Sequence, residues 1–152
     1  MNYPDEQIYA ALFALLDATL LNGSRAWMTS SRKWQSWADV SPSNQPALFM
    51  REGRQRATQN EANGLTEWKL RATVWIYCQH PQDQGSVPAT LINNLLTAVK
   101  NQLSPLPGLD AQTLGRLVTN CFIEGDVLID EGIAPQDTQS IVVVPISIVT
   151  GD

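Results

Sequence analysis

The stretch from Trp68 to Gln79 constrains the fold of this chain more than any other. Read with a period of two, Trp68, Leu70, Ala72, Val74, Ile76 and Cys78 fall on one side, and Lys69, Arg71, Thr73, Trp75, Tyr77 and Gln79 on the other. That alternation belongs to a strand with one face on a core and the other polar except for two aromatics. Ile141 to Val149, a β-branched run, is a second strand. Pro46 to Met50 has the composition of a short buried strand. Leu117 to Ile123 and Val127 to Ile129 read as strands around a Gly125-Asp126 turn.

Two segments carry helical spacing instead. Pro4, Asp5 and Glu6 suit a helix N-terminus; Ile8, Leu12, Leu15, Leu16 and Leu20 follow on one face, and Asn22-Gly23 supplies a stop. No charged residue interrupts Ile8 to Leu16, which implies burial on more than one side, part of it against a neighbouring subunit. After His80-Pro81 and Gly85, Ser86 is the expected cap of a second helix, with Pro88 in its first turn and a stripe of Leu91, Leu95, Ala98, Val99 and Leu103. Pro105 and Pro107 end it. Between these elements, Ser24 to Asn44 reads as loop with short pieces of regular structure and holds Trp27, Trp34 and Trp37, while Gly53 to Gly64 reads as a long flexible connection. The expected fold class is α+β, a mainly antiparallel sheet with two principal helices packed on it, in one domain spanning residues 1–152.

Charge is distributed unevenly. The formal net charge is -5, which disfavours a general nucleic-acid coat or a polybasic membrane binder. Eight of the ten basic residues lie between Arg25 and Arg71, against four acids; from Asn101 to Asp152 there are seven acids and one base, Arg116. Asp5 and Glu6 precede the first apolar stretch and no base precedes Arg25, the reverse of an export signal, and that stretch is far short of the ~20 residues that span a membrane. Two cysteines in apolar runs are too few for a disulfide framework, so the expected setting is soluble and reducing, without a membrane.

Catalytic patterns are sparse. His80 is the only histidine and reads as a solvated turn residue rather than a general base. Cys78-x-His80 with Cys121 lacks zinc spacing, and two core cysteines is the better reading. No glycine-rich phosphate loop, nucleophile elbow or HExxH occurs. The expectation is a protein that is not an enzyme, with no metal and no cofactor. Glu124, Asp126, Asp130 and Glu131 form an acidic cluster read as a solvated hairpin turn or the acidic side of an interface. Arg51, Arg54 and Arg56, with Lys69 and Arg71, are open to ordinary solvation, phosphate contact or contact with an acidic protein surface. Trp75 and Tyr77, on the face opposite the core run, are either covered by one of the two helices or serve as interface anchors, and the same choice applies to Trp34 and Trp37.

The order of elements resembles the tail-terminator, or tail-completion, proteins of long-tailed bacteriophages, the minor tail proteins that cap the tail tube. The resemblance rests on the N-terminal helix ending near Leu21, the passage from Ser31-Arg32-Lys33-Trp34 to Gln45-Pro46-Ala47-Leu48, and the loop leading into Leu70 to Tyr77. The helix from Val87 to Leu103 and the closing Ile141 to Thr150 strand complete it. It implies a hexameric ring in the virion tail or neck, assembled in the host cytoplasm. Such a ring binds the tail tube protein, stops polymerisation and presents a surface to the head-tail connector, with genomic DNA passing through it unspecifically. A cyclic ring uses two different patches per subunit. The chain's polarity fits that demand, with Arg54, Arg56 or Arg71 expected to face Glu124, Asp126 or Asp130 across the interface. A neck or head-completion connector protein is the nearest other reading; a small ligand-binding or enzymatic α+β domain requires a deep pocket lined by His80 or the cysteines.

Overall fold

The computed structural model describes residues 4–59, 62, 64–79, 87–131 and 139–151. In chain order the elements are α1 (Asp5–Asp17), β1 (Leu20–Leu21), β2 (Ser24–Arg25), β3 (Thr29–Ser31), β4 (Ala47–Gln59), β5 (Thr66–Gln79), α2 (Pro88–Leu103), β6 (Asn120–Ile123), β7 (Leu128–Asp130) and β8 (Gln139–Gly151). Two short 3-10 turns, Trp37–Asp39 and Pro42–Asn44, lie between β3 and β4. The main sheet has the order β3-β4-β5-β8-β6, with β7 also paired to β8. Among the described residues only the β3–β4 contact is parallel. The α+β class with two helices on a mainly antiparallel sheet is the architecture of the chain.

Both helices cover the same side of the sheet. Ile8, Leu12 and Leu16 of α1 and Ile92, Leu95, Val99 and Leu103 of α2 pack with Leu70, Ala72, Val74, Ile76 and Cys78 of β5 and with Val142, Val144, Ile146 and Ile148 of β8. These are the alternating inward positions of the two central strands, which is why the two runs read so clearly. The C-terminal carbonyls of α1 are taken by side chains from elsewhere in the fold: Trp27 donates to Leu16 O at 2.9 Å and Gln102 to Leu15 O at 2.7 Å. Within one chain, Ala10 and Ala14 on the charge-free stretch of α1 stay exposed.

Several expected boundaries move. Helix α1 ends at Asp17, and Asn22-Gly23 is the two-residue turn of the β1–β2 hairpin rather than a helix stop; both residues have the positive φ that such a turn requires. Leu20 is therefore off the helix face and 60% exposed. Val87 occupies the N-cap position of α2, without a side-chain hydrogen bond. Ser86, the expected cap, lies outside the described residues, as does His80. Leu117 precedes its strand, because Leu114, Gly115 and Arg116 form a left-handed turn and pairing begins only at Asn120.

Two corrections bear on function. Gly53 to Gly64 is not a loop for most of its length, since β4 runs through to Gln59, paired to β5 as far as Gln59 with Thr66. Its side chains from Arg51 to Gln59 are all exposed, so no face carries the apolar alternation that reveals a strand; backbone pairing holds it, with polar contacts such as Gln55 donating to Asp5 at 2.9 Å. The second concerns Gly125-Asp126, which does not join a hairpin. β6 and β7 both pair with β8, at Ile146–Val149 and Ile141–Val143, so they form one edge line broken by a bulge from Glu124 to Val127. The break sits beside Pro145. Its carbonyl accepts from Glu124 N at 3.1 Å, and its missing N–H lies on that same side.

Candidate functional site

The sheet side away from the helices carries the residues that sequence reasoning singled out. Lys69 and Arg71, two apart on β5, project to it together. Glu124, at the start of the bulge, meets both: Lys69 Nζ is 2.6 Å and Arg71 Nη1 2.9 Å from Glu124 Oε1. Arg71 Nη2 also donates to the Glu124 backbone carbonyl at 3.1 Å, and Nη1 to Ser147 Oγ. The Lys69 hydrogen bond, helped by the charges of Lys69 and Arg71, holds the Glu124 carboxyl below the ordinary carboxylate value.

Two glycines make room for this cluster. A Cβ at Gly53 would lie 3.1 Å from the Arg71 Cβ, so glycine lets the β4 bulge between Glu52 and Gln55 pass close over β5. Gly125 has φ +113°, and a Cβ there would meet Pro145 at 3.3 Å. The expected Arg71–Glu124 attraction thus forms inside one chain. The side chains of Arg54, Arg56 and Asp126 are exposed and make no ion pair or hydrogen bond among the described residues, while Asp130 ends β7 on the exposed edge.

Trp75 and Tyr77 are covered by neither helix. The segment from Trp34 to Gln45 folds over them: Tyr77 packs with Val40, Ala47 and Phe49, and Tyr77 Oη donates to Gln35 O at 2.6 Å. Tyr77 is 2% exposed and already fully used within the chain. Trp75 is half-buried against the edge of Trp34, with ring centroids 5.7 Å apart, and the Arg51 guanidinium lies 5.9 Å from the Trp34 ring centroid. Trp34 and Trp37 remain exposed.

The two cysteines are far apart. Cys78 pairs with Ser140 and Cys121 with Ile148, eight positions along β8, which places them about 26 Å apart along the strand. Both are buried, and burial pushes each thiol up to about 12. Two strands cannot bring these sulfurs to one ion at that separation. A cleft of about 730 Å³ lies between α1, the end of α2 and residues 104–115, lined by Ala11, Ala14, Leu15, Leu106 and Leu114 with Gln102 and Gln112. Neither cysteine lines it, and its two glutamines already donate to backbone carbonyls. Among the described residues no three His, Cys, Asp or Glu side chains converge.

The sheet edges are the remaining feature. β3 covers β4 only at Ala47–Phe49, so the outer edge of β4 from Met50 to Gln59 is open among the described residues. The opposite edge, β6 and β7, is likewise terminal. Sequence reasoning missed Ser147, whose trace was one hydroxyl in an otherwise apolar run, and missed the open edge altogether, because from Arg51 onward nothing on it is buried. No family model matches the chain, and no curated protein matches it.

Proposed function

We propose that this chain caps the end of a bacteriophage tail tube as a subunit of a hexameric ring, stops tube polymerisation there and provides the surface for head-tail joining. The reading rests on the resemblance in element order and on one structural observation above the rest. β4 continues past the core with nine consecutive exposed residues, Arg51 to Gln59, paired to β5 on both sides of the bulge between Glu52 and Gln55. An isolated domain buries no side chain by extending such an arm, whereas a ring subunit gains contact with its neighbours. The groups that remain unengaged in one chain, Arg54, Arg56 and Asp126, are of the kind that directs association rather than catalysis. No helix among the described residues is long and apolar enough to cross a membrane, and the proposed location is the virion tail or neck.

Phage particles made without the chain provide the test. A terminator's loss leaves overlong tubes. Tubes of normal length that fail to join heads instead place the chain on the neck side, as a connector.

A further inference from the structure

The two sheet edges that are open among the described residues differ in charge and are offset in height. Arg51, Arg54 and Arg56 lie along the outer edge of β4, while Glu124 and Asp126 occupy the bulge in the β6–β7 edge. Pairing registers carry height across the sheet. Arg51 pairs with Thr73, Thr73 with Pro145, and Pro145 bonds Glu124. The acidic bulge is therefore level with Arg51, and β6 is level with the stretch from Glu52 to Arg56, through Ala72 with Ile146 and Ile123 at one end and Lys69 with Val149 and Asn120 at the other.

Strand directions match. β4, β5, β8 and the β6–β7 line alternate in direction, each antiparallel to the next. At equal height β7 of one copy would fall on β3 of the next, since both lie level with Ile141 to Val143. A rotation about a ring axis inclined to the strands, with a stagger of about three residues, clears β3 and sets the open part of β4 beside the β6–β7 edge of another copy with that alternation unbroken; it also carries the bulge from the level of Arg51 to that of Arg54 and Gln55. Such a junction is heterologous, one edge against a different edge, so it repeats around a ring and leaves neither strand edge open.

We infer that the outer edge of β4 pairs antiparallel with the β6 edge of a second copy of this chain, with Arg54 and Arg56 drawn to the acidic bulge that carries Asp126. This rests on the ring reading above and names the surface by which the ring closes. Glu52 does not oppose it, because Arg32 already engages that carboxylate at 3.2 Å. Leu128 and Ile129, large apolar side chains left exposed on the β6–β7 edge, gain cover at the same junction.

Complementary charge reversals test it. Arg54→Glu with Arg56→Glu makes the β4 edge acidic, and Asp126→Lys, in a separate chain, makes the bulge basic. Each variant keeps its other edge unchanged. Native mass measurement of the full chain, alone and on tail tubes, is the readout, with circular dichroism to verify folding and Arg54→Gln with Arg56→Gln as a milder pair. Each reversed variant alone is expected to show an assembled fraction at least about tenfold lower than wild type at fixed concentration. An equimolar mixture is expected to regain assembly, because each reversed edge then meets its complement. If wild type assembles and the folded variants assemble equally well, or the mixture does not recover, edge pairing is overturned and the ring reading stands. A wild-type chain that stays at 16.8 kDa both free and on tubes overturns both.

Discussion

Arg71 and Glu124, 53 positions apart in the chain, meet at 2.9 Å on the open side of the sheet, and Lys69 closes on the same carboxylate oxygen at 2.6 Å. The contact ties β5 to the bulge in the edge line and fixes where Asp126 is presented.

A pH dependence follows. The folded Glu124 carboxyl is held below its ordinary value, mainly by the Lys69 hydrogen bond. Its contribution is therefore complete above the unfolded carboxylate pKa and is lost as pH falls through the depressed folded value. Glu124→Gln is expected to be less stable than wild type in urea near pH 7, with the two curves converging in acid, below the ordinary carboxylate value. A gap of equal size at both pH values contradicts the assignment. Asp17, held low first by its hydrogen bond from Ser30, and Glu6, held low first by Arg32, supply the acid sensitivity that remains in the variant.

Gly125 is expected to resist substitution. Its φ of +113° and the 3.3 Å approach to Pro145 leave no unstrained place for a Cβ. Gly125→Ala should cost on the order of 1–3 kcal/mol in chemical denaturation. An alanine variant as stable as wild type shows that the bulge adapts.

Burial makes the cysteines inert. With each thiol pushed up to about 12, a thiol reagent at about pH 8 finds almost no thiolate and no access in the folded protein. Native protein should stay unlabelled and urea-unfolded protein should take two labels, one at Cys78 and one at Cys121. Rapid labelling of the native protein contradicts the placement of both residues in the core.

Tyr77→Phe removes one hydrogen bond, from the hydroxyl to Gln35 O at 2.6 Å, and leaves the ring packing in place. The expected loss is about 0.5–1.5 kcal/mol, accompanied by a change in tryptophan fluorescence as the Trp34 to Val40 segment loosens. If Tyr77 were an interface anchor, the change would appear in assembly and not in the unfolding of the single chain.

The parts of the fold that were legible in the sequence are those where one face is buried and the other is not. β5 and β8 show a period of two because helices cover one side, and α1 and α2 show their stripes because they lie on the same core. The arm of β4 carried no such imprint. From Arg51 to Gln59 its strand character comes from pairing with β5, which leaves no mark on hydrophobicity. The Glu124–Val127 bulge looked like a hairpin for a related reason: Gly125-Asp126 has turn chemistry, but β6 and β7 find their partner in β8 rather than in each other. Of the candidate site, the attraction between Arg71 and the acidic cluster was readable from charge alone. That it closes within one chain was not, since charge along a sequence does not say which copy supplies the partner.

Electron microscopy of tubes polymerised from the cognate tail tube protein, with and without this chain, tests the central claim most directly. Tubes of uncontrolled length in its absence, and tubes arrested with a ring of extra density at one end in its presence, are the predicted result. Tubes that grow equally long with the chain present, and carry no added density at either end, contradict it.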